Sequence, residues 1–217
     1  MSGHDIVLNW NDSLLYSSDL NLLSDGEWLN DRLIGFVYEY MEKETYKYEA
    51  SKIAFVNPST VQCLKLCSSL EEADICFLSP LELNQKDYVF FPINNNQNSE
   101  VAGGSHWSLL FWDKNKRNFV HLDSIGSNRE VANFFFKKFK NYFGANNLIE
   151  NVSKFPKQEN SCDCGMYVLV ATEVITEHLI NNNYELNESN LDFTKVTPRY
   201  IKDSRKRYKD LIIFLSN

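Results

Sequence analysis

The sequence is poor in residues that loosen a chain, and it has no long hydrophobic run. Its 217 residues include only eight Gly and five Pro. Without a repeat, a low-complexity tract or a composition break to mark a linker, we expect a single domain over residues 1–217. No segment approaches the roughly 18 apolar residues of a membrane span. The start, MSGHDIVLNW, lacks the apolar core of a signal peptide, so we expect a cytoplasmic or nuclear protein.

An excess of positive charge is also absent. The net charge is −7, which disfavours nonspecific binding to nucleic acid and is compatible with a basic partner. The five cysteines are an odd number, and an intracellular protein keeps its thiols reduced. Both points argue against a disulfide framework.

Apolar residues at helical spacing predict four helices. The first follows SDGEWLND, where Ser24 and Glu27 have the spacing of a capping box. The second has the same spacing at Ser127 and Glu130, and a candidate end at Gly144. The third, MYVLVATEVI, is apolar almost all round and should be buried. The defining positions, in chain order, are Leu33, Phe36, Val37, Tyr40, Met41, Val131, Phe135, Phe139, Tyr142, Phe143, Pro198, Tyr208, Leu211, Ile212 and Leu215.

Three strands are predicted in the middle of the chain: DYVFFPIN, HWSLLFWD and RNFVHLD. They are rich in aromatic residues and Val, and polar turns bound them. Helices precede and follow this group instead of alternating with its strands. The pattern indicates an α+β fold with a mostly antiparallel central sheet flanked by helices.

The segment QENSCDCGMY at 158–167 contains a Cys-x-Cys pair. A zinc site would need a second pair, and the VQCLKLC cysteines are equally explained by an apolar helix face. A disulfide within the pair would close a small, strained ring. A nucleophilic thiol fits better, because a helix N-terminus favours the thiolate. Cys164 begins the apolar helix, whereas Cys162 lies two residues before it, so Cys164 is the better candidate.

A catalytic thiol needs a base, and the hairpin between the last two predicted strands supplies one. If KN at 114–115 is a two-residue turn, His106 lies opposite Asp123, with Cβ atoms about 5 Å apart. The carboxylate could then fix the tautomer of the imidazole. His121 would fall opposite Ser108, with no acid. A three- or five-residue turn would move Asp123 to the other face of the sheet.

Acyl transfer through a thiol also needs donors for a tetrahedral oxyanion. The side-chain amide of Gln158 and the backbone N–H of Cys164 are the candidates. The order of the blocks GSHW, HLD and QENSCDCG, together with WLND at 28–31, resembles the Ulp/sentrin-specific cysteine proteases, and most closely their deneddylase branch. The similarity covers nearly the whole chain.

The resemblance implies a papain-like fold with the active site between a helical lobe and a sheet lobe. It implies Cys164 as nucleophile, His106 as base, Asp123 as its orienter and Gln158 in the oxyanion hole. It further implies that Trp28, Asp31 and Trp107 contact the tail of a ubiquitin-like modifier, although strict strand alternation would turn Trp107 away from the face of His106. The loop 93–104 resembles a mobile loop that closes over the modifier, and its polarity and glycines fit that role.

The function implied is cleavage after the C-terminal Gly-Gly of a neddylation-type modifier. The enzyme would process the precursor and remove the modifier from lysines of targets such as cullins, as a monomer without cofactor or metal. Two alternatives remain: a protease for a SUMO-type modifier, and a modifier-binding protein that has lost catalysis.

Overall fold

The computed structural model describes residues 5–98, 101, 103–150, 155–186 and 191–216. The strands are β1 (Ile6–Trp10), β2 (Ser13–Tyr16), β3 (Ile53–Phe55), β4 (Tyr88–Asn94), β5 (Trp107–Asp113), β6 (Asn118–Leu122) and β7 (Asn147–Ile149). The α-helices are α1 (Ser17–Asn21), α2 (Asp31–Tyr40), α3 (Pro58–Leu66), α4 (Leu70–Ala73), α5 (Arg129–Phe143), α6 (Cys164–Asn181) and α7 (Pro198–Leu215). Short π-helical turns continue α2 and α4.

The main sheet has five strands in the order β3-β4-β5-β6-β7. Its centre, β4-β5-β6, is antiparallel and confirms the three predicted strands. The short edge strands β3 and β7 pair in parallel with β4 and β6. They were not predicted, because three residues give too little alternation to recognise. The hairpin of β1 and β2 forms a separate two-stranded sheet.

Alternating side chains of the central strands build a core on each face of the sheet. On one face, Phe90 and Phe111 stack with ring centroids 5.7 Å apart and pack beneath α2, α6 and α7. On the other, Phe91 and Trp112 belong to a core with α3 and α5. In α6, every residue from Cys164 to Thr176 is buried, which confirms the prediction of a buried helix.

The predicted helices form, but two predicted caps are wrong. In α2 the cap is Asn30, whose side chain accepts from the Leu33 N–H at 3.0 Å. Ser24 and Glu27 lie in the preceding turn. Capping-box spacing is a local signal, and here the chain needs a further turn before it can enter the helix.

At α5 the N-cap position is taken by Asn128, so the cap predicted from Ser127 and Glu130 is also wrong. Gly144 does end that helix, in a left-handed conformation with φ of 66°. That conformation is easy only for glycine. At the last helix, Thr197 caps α7 directly before Pro198.

No helix within the described parts of the chain is long and apolar enough to cross a membrane. The single domain over residues 1–217 stays a prediction. The loop 93–104, predicted to be mobile, includes residues 99, 100 and 102, which lie outside the described residues.

Candidate active site

Cys164 is the first residue of α6 and is buried, with 2% of its surface exposed. Its position comes from the packing of the next residue. A Cβ on Gly165 would lie 2.9 Å from the Cβ of Leu29, closer than side chains tolerate. Glycine therefore lets the segment that contains Trp28 pack directly on the start of the cysteine helix.

His106 immediately precedes β5, and Asp123 immediately follows β6. Asp123 Oδ1 lies 2.6 Å from His106 Nε2, and both side chains are buried. Asp123 also accepts the N–H groups of Ile125 at Oδ1 (2.9 Å) and of Asn128 at Oδ2 (2.8 Å). Nδ1 of His106 is buried without a hydrogen-bond partner of normal geometry among the described residues, and this nitrogen is the one left for the thiol.

The hairpin register differs from the predicted one by two residues. The ladder pairs Asp113 with Asn118, so the turn contains four residues, 114–117. A shift of two keeps every side chain on its predicted face. Continued past β6, this register sets Asp123 opposite Ser108, and its carboxylate therefore reaches His106 along a diagonal instead of directly across.

The electrostatics of the pair favour a charged imidazole. Burial by itself lowers the pKa of His106, but hydrogen bonding and charge interaction with Asp123 and Cys164 outweigh it and raise the pKa to about 9. Burial raises the pKa of Asp123, whereas the His106 ring and three backbone N–H groups hold this pKa well below its usual range. Asp123 is therefore ionised beside a ring that binds a proton readily.

The other candidate histidines do not share this arrangement. His121 is buried with Nε2 3.0 Å from the Ser108 hydroxyl, and burial lowers its pKa to about 4. It is neutral at physiological pH. His178 lies in the last turn of α6, where its backbone carbonyl accepts from Asn182 Nδ2. His4 lies outside the described residues.

Gln158 is held beside the cysteine segment by both ends of its amide. Its Oε1 accepts from the Ser124 hydroxyl at 2.6 Å, and its Nε2 donates to the Asn160 carbonyl at 2.6 Å. The second N–H of the amide is not used in these contacts. Gln158 is therefore fixed relative to Asp123, since Ser124 is the next residue along the chain.

Cys162 lies in the turn before α6 and points away from solvent. Its Sγ is 3.4 Å from Asn160 Oδ1, and burial raises the pKa of its thiol, with Asp163 adding to the effect. The turn is fixed by Arg205 of α7, whose Nη2 lies 2.6 Å from Asp163 Oδ1 and also donates to the carbonyl of Glu27. One buried guanidinium thus ties the cysteine turn to the segment before Trp28.

The WLND segment at 28–31 forms a wall of the cavity that Cys164 and His106 also line. Asn30 caps α2 with its oxygen and donates its Nδ2 to the buried Asp19 at 2.6 Å. This places Trp28 before the cap, about half exposed, and Asp31 in the first turn of the helix. Trp107 Nε1 donates to the Leu29 carbonyl at 3.1 Å, which joins the wall to the start of β5.

Five of the seven predicted site residues line one cavity of about 580 Å³. They are Trp28, Asp31, His106, Trp107 and Cys164. Asp123 lies behind His106, and Gln158 is not part of this lining. The concern that Trp107 would face away from His106 is answered by its position at the very start of β5, where both residues border the cavity.

Sequence reasoning missed the residues that hold this site together. Asn128 is fully buried, and its Nδ2 reaches the carbonyls of Ile93 and His106 at 3.3 and 3.4 Å. Its place at a helix start was a usable signal, because Asn is a frequent cap. Arg205 lacked any such local signal. Among the described residues, no group of three or more His, Cys, Asp and Glu could hold a metal.

Several known proteins that resemble this chain in sequence or in fold are proteases. Residues 27–205 match the family model "Ulp1 protease family, C-terminal catalytic domain". The chain is 39% identical to sentrin-specific protease 8 of mouse, with 97% of this chain and 94% of that protein covered. It is 35% identical to NEDD8-specific protease 1 of Arabidopsis thaliana, covering 81% and 77%. The fold matches the yeast Ulp1 protease domain, solved in complex with Smt3, with a TM-score of 0.69, 21% identity and 98% and 88% coverage.

Proposed function

The chain belongs to the Ulp1 family of cysteine proteases, and from this premise we propose that it cleaves after the C-terminal Gly-Gly of NEDD8. The choice of modifier rests on the similarity to NEDD8-specific protease 1, which extends over 81% of the chain. The reaction would release mature NEDD8 from its precursor and remove it from lysines of conjugated proteins.

The observation that carries the chemistry is the contact of His106 with Asp123 beside Cys164. Nε2 of the ring is held 2.6 Å from the carboxylate, so Nδ1 is directed to the thiol and takes its proton. The thiolate attacks the carbonyl carbon of the final glycine. The negative charge that develops on the carbonyl oxygen is stabilised by the backbone N–H of Cys164 and the free N–H of Gln158.

Collapse of this intermediate breaks the C–N bond, and His106 donates its proton to the leaving amine. The amine is a lysine Nζ in a conjugate, or a backbone nitrogen in the precursor. Water, deprotonated by His106, then attacks the thioester on Cys164 and releases the modifier carboxylate and the thiol.

The cavity walls suit a narrow, extended tail. Trp28 and Trp107 both line the cavity, and the Gly-Gly segment, which has no side chains, would lie beside their indole rings. Asp31 is exposed at the rim, and its carboxylate contacts the tail ahead of the glycines. The proposed partner is therefore the modifier or its conjugate.

The test uses NEDD8, SUMO and ubiquitin, each with an electrophilic group at its C-terminus. We expect labelling of the parent protein by the NEDD8 probe at least tenfold faster than by the other two, and no labelling of Cys164→Ala. Faster labelling by SUMO would assign the chain to that modifier instead. Tight NEDD8 binding without labelling or hydrolysis would make it a binding protein.

A further inference from the structure

Asn95 closes the base of the loop between β4 and β5. Its Oδ1 accepts the backbone N–H groups of Ser105 at 2.7 Å and of His106 at 3.2 Å. Its Nδ2 donates to the Ser105 hydroxyl at 3.0 Å. Its own backbone N–H donates to the carbonyl of His106 at 3.2 Å. A single residue therefore holds both backbone polar groups of His106.

Asn95 can act as a clamp because its own neighbours are fixed. Lys65 of α3 is buried, and its Nζ donates to the carbonyls of Asn94 and Asn96 on either side. Gln62 of the same helix also donates to the Asn96 carbonyl, at 3.1 Å. The part of the loop that follows β4 is thus attached to α3, a helix in the core of the sheet lobe.

The part of the loop that leads into β5 is less restrained by its own residues. Gly103 and Gly104 directly precede Ser105, and two adjacent glycines leave the backbone a wide choice of conformations. Gly104 has φ of 101°, and a Cβ there would lie 1.8 Å from the Asn94 Oδ1. Gly104 is therefore needed for the close approach of the two sides of the loop, and the freedom that the two glycines introduce ends one residue before His106.

We infer that Asn95 is a positioning residue for the base. It holds the main chain of His106 at the place from which Nδ1 meets Cys164, while Asp123 holds the far side of the ring. This inference rests on the proposed role of His106. Misplacing a reacting group by about 1 Å can cost on the order of 100-fold in rate, so a backbone clamp on the base acts on the chemical step.

The experiment compares Asn95→Ala, Asn95→Asp and Asn141→Ala by steady-state hydrolysis of a fluorogenic C-terminal amide of NEDD8. We expect Asn95→Ala to lower kcat about 10- to 100-fold with KM within about twofold. Asn95→Asp should restore kcat to within about threefold, because a carboxylate oxygen still accepts both N–H groups and the Ser105 hydroxyl can donate to it. Asn141, exposed near the end of α5 and absent from the cavity lining, is the matched control and should change neither constant.

A second measurement separates positioning from general loosening. The rate of Cys164 alkylation by iodoacetamide against pH reports how well the imidazole supports the thiolate. It is followed by peptide mass spectrometry because Cys63 and Cys76 are exposed. Asn95→Ala should slow alkylation at neutral pH, and Asn95→Asp should not.

Parent-like kcat in Asn95→Ala would overturn the inference. A rise in KM with an unchanged alkylation profile would also overturn it, since the residue would then serve only substrate binding. His106→Ala tests the premise separately. If that variant retains turnover, the proposed mechanism fails, whatever Asn95 does.

Discussion

Replacing Asp123 by Asn tests the proposed site most directly, because the change is nearly isosteric and removes one charge. Both carboxylate oxygens accept backbone N–H groups, Oδ1 from Ile125 and Oδ2 from Asn128. An amide must therefore set its NH₂ against one of these donors. If the NH₂ takes the Oδ1 position, it also donates to His106 Nε2. The ring proton must then lie on Nδ1, and Nδ1 can no longer accept the proton of the thiol.

The expected loss of kcat/KM in Asp123→Asn follows from the raised pKa of the His106 imidazole. Its pKa is raised from 6.5 to about 9, and each unit corresponds to about 1.4 kcal/mol. After the penalty of burial, the charged ring is therefore stabilised by a net amount on the order of 3 kcal/mol, which the contacts with Asp123 and Cys164 supply. Losing the share of Asp123, together with the wrong tautomer, should lower kcat/KM by about 10² to 10⁴; the same change in a serine triad costs about 10⁴.

The same pKa shifts predict how the stability and the kcat/KM of the protein change with pH. A raised His106 pKa stabilises the fold fully below pH 6.5, and this contribution is lost as pH rises through about 9. Asp123 has a lowered pKa, so its contribution is present above its unfolded value and is lost as pH falls through the folded one. In Asp123→Asn the alkaline limb of kcat/KM should move below pH 9, and the decline in thermal stability between pH 6.5 and 9 should flatten.

The assay is hydrolysis of the NEDD8 amide from pH 5 to 10, with thermal unfolding measured over the same range and NEDD8 affinity measured for each variant. Affinity should change little, because Asp123 lies outside the cavity lining. Turnover within about threefold of the parent, with an unmoved alkaline limb, would refute the reasoning. His106 would then be oriented by its packing and backbone contacts alone.

Two further predictions concern the cysteine segment. Cys164→Ala should abolish hydrolysis and retain NEDD8 binding, while Cys162→Ala should remain active; calorimetry and the amide assay check both, and an inactive Cys162 variant would contradict the assignment of the nucleophile. Gly165→Ala should destabilise the protein by about 1–3 kcal/mol through overpacking against Leu29 and raise KM by displacing the tryptophan wall, as measured by denaturant unfolding and steady-state kinetics. Because the closest contact is with the Leu29 Cβ, which alanine keeps, adding Leu29→Ala should not relieve the overpacking, whereas full recovery of both losses would place the strain in the rest of the Leu29 side chain.

Much of the fold could be predicted because its signals are local. The helical stripes, the all-apolar run after Cys164 and the three aromatic strands are each set by neighbours in sequence. Helix ends were less certain, since Ser24 and Asn30 both suit a cap, and only the position of Asp19 in the fold favours Asn30. The edge strands are too short to leave a pattern.

The candidate site divides in the same way. The sequence by itself determined which groups we propose to react: a thiol at a helix start, and a histidine and an acid on one face of a hairpin. Their relation survives a register shift of two because side chains alternate with a period of two. Only the tertiary structure decided the supports, Asn95, Asn128 and Arg205. Their partners are carbonyl and N–H groups, which every residue carries, so only the path of the folded chain brings them within hydrogen-bonding distance.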